Sequence, residues 1–244
     1  MTKIKIALVS LGSSKYPLNF KELEGWKSDV FEIEHEAAVS QLGDAEGKGW
    51  EYSDVQLRKI VHAGHGAHIV VGIINAPLEN NYYLRRIANN VAVLSLYEMA
   101  DIVRDSAFTI EQYILRNLYE LAVLFLVNKT LIPEDYPSWA HDDVRGCLFD
   151  MNSSKDDIVF SMNRPILCPS CVNKVESKQV PARLISALSK ELPRIKKTLF
   201  ARMSDWVKNH PILALFFTAL SGIALNIIAS IIFEKAKGIW AWLG

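Results

Sequence analysis

From Pro211 to Phe233 the chain runs PILALFFTALSGIALNIIASIIF, 23 residues without a charge. As a helix this stretch spans about 34 Å, enough to cross the hydrocarbon core of a bilayer. A buried core helix is the alternative, but core helices are usually shorter and keep a polar side, whereas this segment is apolar nearly all round. It therefore reads as a transmembrane helix. Trp206 before it, and Trp240 and Trp242 after it, fall where interfacial aromatic side chains anchor a span.

The flanking charge orients the span. Arg194, Lys196, Lys197, Arg202 and Lys208 precede it, and Lys235 and Lys237 follow it, so the positive-inside bias places the N-terminal side in the cytoplasm. The opening MTKIKIALVSLG has an apolar run too short for a signal peptide and reads as a first strand. Together these cues predict a single-pass tail anchor with about ten residues on the far side. Overall charge is balanced at 27 basic against 27 acidic residues, but residues 181–244 hold nine Lys/Arg against three Asp/Glu. A basic region beside a span points to an anionic lipid leaflet as partner, and no direct nucleic-acid contact is expected.

Two features of this end suggest association. Within the span Ala214, Thr218, Gly222, Asn226 and Ser230 recur at every fourth position, the spacing that lets helix backbones approach closely in lipid and so favours a homo-oligomer. Upstream, residues 181–209 place Ile185, Leu188, Leu192, Ile195, Leu199 and Trp206 on one face of a basic amphipathic juxtamembrane helix, with Pro193 interrupting it. Such a helix lies on the leaflet or packs on the soluble domain with its basic side in water.

All three cysteines fall between residues 146 and 171. In a reducing cytoplasm a Cys-x-x-Cys pair means metal or redox chemistry and not a structural disulfide. With His141 upstream, the pattern His141-x5-Cys147-x20-Cys168-x2-Cys171 supplies three thiolates and one imidazole, the donor set of a closed tetrahedral zinc site. Four protein ligands leave no open position for water, so the zinc is expected to be structural. A redox pair and unligated core thiols are the alternatives.

The first 130 residues predict an α/β fold with a largely parallel sheet and flanking helices. Ile4 to Ser10, Ile69 to Ile74 and Val91 to Leu96 are buried-strand runs, and Val30 to His35 alternates like an edge strand. Helical patterns cover Val55 to Val61 and Thr109 to Leu126. The expected division is an α/β ligand-binding or sensor domain over 1–130, a zinc-braced loop or hairpin insert over 131–180, the juxtamembrane helix over 181–209, and the anchor with its short tail over 210–244.

A ligand site is expected where open α/β sheets place one, at the carboxyl end of a buried strand. Gly12, Ser13, Ser14 and Lys15 follow the first strand, and Asn75 ends another. Backbone amides, hydroxyls and an ammonium there suit a small phosphorylated ligand, with a plain turn as the alternative. His62, His65 and His68 are read as capping and surface residues and not as a metal set. No Gly-x-Ser-x-Gly, His-Glu-x-x-His or Walker motif is present, which disfavours those enzyme classes. The resulting expectation is a membrane sensor or effector. Its domain receives a ligand or a cytosolic protein partner, and its span self-associates and perturbs the bilayer, as an antiviral defence effector would. The rival is a membrane-tethered enzyme acting on a nucleotide or phosphorylated substrate.

Overall fold

The computed structural model describes residues 3–39, 42–47, 49–64, 66–134, 139–142 and 144–243, with backbone alone at 37–38 and 235–243. His65 lies outside these residues. The chain divides into two compact units, Met1–Lys196 and Lys197–Gly244.

The first unit is built on five strands, β1 (Ile4–Leu11), β2 (Phe31–Val39), β3 (Ile69–Ile74), β4 (Leu84–Ala88) and β5 (Val91–Ser95), in the order β2-β1-β3-β5-β4. The β2–β1, β1–β3 and β3–β5 pairs are parallel, and β4 runs antiparallel to β5 at one edge. The largely parallel sheet is thus observed, with β2 on the opposite edge. Strand β4 was not expected, because LRRIA is short and carries two arginines. A tight turn makes it: Asn90 adopts a positive φ of 61°, and its side-chain oxygen accepts from the Ile132 amide at 2.6 Å.

Alternation along the strands divides the core into two layers. Ile4, Ile6 and Leu8 of β1 face one cluster, and Ala7, Val9 and Leu11 face the other. The smaller layer is covered by α2 (Asp54–Ile60), through Leu57. The larger is covered by α1 (Phe20–Glu24), α3 (Met99–Asp105), α4 (Ile110–Val127), α5 (Pro169–Ser177) and α6 (Ala182–Glu191). Helix α4 starts at a reciprocal cap, in which the Thr109 hydroxyl accepts from the Gln112 amide and the Gln112 side chain returns to the Thr109 amide. All three cysteines belong to this larger core, so the parts expected over 1–130 and 131–180 share one interior.

The segment expected over 181–209 as one amphipathic helix interrupted at Pro193 forms two helices, broken at that proline. A 3-10 turn at Leu192–Arg194, carrying Pro193, ends α6, and α7 (Leu199–Asn209) follows. Helix α6 buries its apolar residues Leu184, Ile185 and Leu188 in the core. Its last residue, Glu191, is itself buried: its carboxylate accepts from Ser28 Oγ at 2.5 Å, the Asp29 amide at 2.7 Å and the Tyr119 hydroxyl at 2.6 Å. The amphipathic pattern of α6 therefore reports docking on the α/β unit.

The second unit holds α7 and α8 (Pro211–Leu243). Within α8, Pro211–Glu234 is long and apolar enough to cross a membrane, and none of this stretch is buried by protein.

Candidate metal centre

The insert folds around four donor atoms, and each is positioned by local backbone. His141 is paired with the chain at Phe149 to Met151: its amide donates to the Phe149 carbonyl at 3.0 Å and its carbonyl accepts from Met151 at 2.9 Å. Beside it, Trp139 packs on Phe149 with ring centroids 5.0 Å apart. Gly146, at φ 95°, makes the turn that delivers Cys147, since an L side chain rarely adopts that conformation. The segment is then pinned by Leu148 N to Ile166 O at 2.8 Å and Ile166 N to Gly146 O at 2.9 Å. The loop and hairpin expected here is a loop with two single-residue bridges and a 3-10 helix at Lys155–Ser161.

Cys168 caps α5, with Pro169 at the first helical position, and its sulfur accepts from the Cys171 amide at 3.5 Å. Both sulfurs of the Cys-x-x-Cys turn thus lie at the N-terminus of α5. The three cysteines are at most 1% exposed.

The geometry fits zinc. The four donor atoms lie within 4.8 Å of one another. Cys147 and Cys171 sulfurs are 3.8 Å apart, and His141 Nε2 stands 3.2 Å from Cys171 Sγ and 3.4 Å from Cys168 Sγ. A tetrahedron with ordinary Zn–S and Zn–N bonds has edges of about 3.8 Å between sulfurs and about 3.5 Å between sulfur and nitrogen. On the other side of the ring, His141 Nδ1 lies 3.3 Å from the Asp142 carbonyl, the contact that directs Nε2 to the centre. His141, Cys147, Cys168 and Cys171 form a metal-binding group, and zinc is its cofactor.

Electrostatics at the centre point the same way. The contact with Cys171 pulls the Cys147 thiol down to about 5, and the same contact, with burial, pushes Cys171 well above the ordinary thiol range. A bound dication would supply the charge that balances three thiolates this close. His141 is raised: burial opposes its charged form, and Cys147 and the Asp142 carbonyl outweigh that.

Next to the metal centre lies a cleft of about 470 Å³ that sequence reasoning missed, lined by Tyr83 and Arg86 at the sheet edge, Arg116 and Glu120 of α4, and Asp150 and Asn152. Arg116 is 1% exposed and fully engaged, donating to Ser161 Oγ at 3.1 Å and to the Leu148 carbonyl at 2.6 Å and pairing with Glu120. It ties α4 to the residue following Cys147. Asp150 Oδ2 is buried without a hydrogen-bond partner among the described residues, and Arg145 Nη1 stands 3.8 Å away. The available signal was the pair of charges at positions 116 and 120, one helical turn apart, in a predominantly apolar helix.

The other expected residues are placed as follows. Leu11 pairs with Ile74, so Gly12 and Asn75 leave adjacent parallel strands where the chain diverges to opposite sides of the sheet. Ser14, however, donates to the Tyr16 carbonyl at 2.7 Å and accepts from the Tyr16 amide at 3.2 Å, closing its own turn, and Lys15 lies over the Tyr16 ring. Ser13 is exposed, and none of Gly12, Ser13, Ser14, Lys15 or Asn75 lines a cleft described here. His62 and His68 are exposed and outside the metal group; His68 Nδ1 accepts from the Lys5 amide at 2.9 Å. Along α8, Thr218 and Ser230 donate to the carbonyls of Ala214 and Asn226, and a side chain added at Gly222 would meet open space.

No family model and no curated protein matches the chain. Among solved structures it is similar to an archaemetzincin from Methanopyrus kandleri, at 17% identity and a TM-score of 0.46, over 72% of this chain and 96% of that one. A likeness this distant carries no functional reading.

Proposed function

We propose that this chain is a single-pass membrane protein whose α/β unit, braced by structural zinc, faces the cytoplasm and receives a ligand or protein partner, while α8 self-associates in the bilayer. The observation that carries this reading is the Pro211–Glu234 stretch of α8, whose large apolar side chains are all open. Water does not tolerate so large a continuous apolar surface on a monomer. The α/β unit offers its partner the cleft beside Arg116, Glu120 and Asp150, in which Arg116 is held by Ser161 and the Leu148 carbonyl. Self-association is supported by the stripe of Ala214, Thr218, Gly222, Asn226 and Ser230, and perturbation of the bilayer would be its output.

The test is purification of the full chain from membranes in mild detergent, measuring native mass and zinc per chain. An oligomer with one zinc per chain is expected, and Gly222→Leu with Asn226→Leu should return it to monomer. A wild-type monomer would overturn self-association.

A second reading is a membrane-tethered enzyme acting on a phosphorylated substrate. It is favoured only by the place of Gly12 and Asn75 at the divergence of β1 and β3. Replacing Ser13 and Lys15 by Ala would abolish binding of a phosphorylated ligand under this reading and leave the first untouched.

A further inference from the structure

The break at Pro193 leaves α7 with an open apolar face. At 100° per residue, Leu199, Phe200, Met203, Trp206 and Val207 fall within an arc of about 120° on one side of the helix. They are 70, 84, 60, 41 and 46% exposed, whereas Ala201 on the opposite side is the one buried residue of α7. Helix α6, by contrast, buries its apolar residues Leu184, Ile185 and Leu188.

The polar side is basic. Lys197, Arg202 and Lys208 outnumber the single acid Asp205, which Lys197 Nζ already meets at 2.8 Å. The chain leaves α7 through His210, at φ −134° and ψ 59°, and enters α8 at once. Trp206 stays close to that junction, its ring 5.8 Å from His210 and 6.0 Å from Phe217. The apolar face of α7 is therefore continuous with the segment that lipid must solvate.

We propose that α7 is an interfacial helix lying in the headgroup layer of the cytoplasmic leaflet, its five large apolar side chains inserted and Arg202 and Lys208 contacting anionic lipid headgroups. This rests on α8 spanning the bilayer. Continuity with the span and the excess of positive charge favour an anionic leaflet over a second copy of α7, which would bring like charges together.

The test uses the full chain in vesicles of phosphatidylcholine, with and without phosphatidylglycerol. Amide hydrogen exchange is followed over 199–209 and 211–233, together with quenching of Trp206 emission by lipids brominated near the headgroup, taken as the difference from Trp206→Phe. Residues 211–233 should be protected in both lipids, Trp206 should be quenched, and exchange over 199–209 should slow when phosphatidylglycerol is present. Arg202→Gln with Lys208→Gln should reduce that lipid preference by about fivefold per charge removed. The proposal is overturned if 211–233 is protected while Trp206 is unquenched and exchange over 199–209 ignores the anionic lipid. It is equally overturned if protection of 199–209 appears only at high protein-to-lipid ratio, the mark of a second copy. Free exchange over 211–233 would instead remove the span itself, a separate and recognisable result.

Discussion

Helices α4 and α8 are both predominantly apolar, and the molecule uses them in opposite ways. Helix α4 is buried almost throughout, yet it carries Glu111, Arg116, Asn117 and Glu120. Each of these polar groups has a partner: Arg116 reaches Ser161, Leu148 and Glu120, Asn117 reaches the Tyr113 carbonyl at 2.8 Å, and Glu111 accepts from the Asn19 amide at 2.9 Å. Helix α8 has no charge from Pro211 to Phe233, and none of that stretch is covered. On the reading of α8 as a span, what separates it from a core helix is less the number of apolar residues than whether the chain can pair a charge at that position. A protein interior supplies fixed partners for a buried guanidinium; lipid tails supply none.

The contrast can be tested from both sides. Removing zinc by chelation, or replacing Cys168 with Ser, should have the largest effect, because a structural zinc site contributes on the order of 10 kcal/mol in small domains. The α/β unit should lose its cooperative unfolding transition by circular dichroism and become protease-sensitive, while the chain stays with membranes. Next, Arg116→Ala should destabilise the α/β unit by about 3–5 kcal/mol, since it strips α4 of the group that pairs Glu120 and the Leu148 carbonyl. A shift in the urea midpoint of the detergent-solubilised protein would report it. The converse change, Ile223→Lys in α8, should cost about 2.5–3.5 kcal/mol of insertion and lower the membrane-bound fraction, with zinc content unchanged. The smallest effects test packing. Ile114→Val in α4 should cost about 0.5–1.5 kcal/mol, because a fixed core cannot refill the lost methylene, whereas Ile227→Val in fluid lipid should shift neither stability nor localisation measurably.

Much of this was legible before the structure, and the exceptions share a cause. The runs forming β1, β3 and β5 bury both faces, so their apolar continuity survives in sequence, and the zinc set is carried by four residues of two types, one histidine and three cysteines, at fixed spacing. Strand β4 was not legible, because at the sheet edge Arg85 pairs with Asp54 and the polarity of LRRIA masks the strand. In the 181–209 segment the break at Pro193 was legible, but α6 and α7 share one amphipathic rhythm across it, so the different surroundings of the two halves were not. Only tertiary burial, through Glu191 and its three hydrogen bonds, shows that one half packs inward while the other stays open. The cleft was hidden because Arg116 and Asp150 lie 34 positions apart in the chain, and no linear spacing announces them.

The central claim is that the segment from Pro211 to Glu234 is solvated by lipid. Fractionation of cells making the full chain, followed by an alkaline carbonate wash, tests it most directly. The protein should remain in the membrane pellet and be released only by detergent. Recovery of the intact chain in the soluble fraction, monodisperse without detergent, would show that protein covers α8, and the assignment of a membrane span would be contradicted.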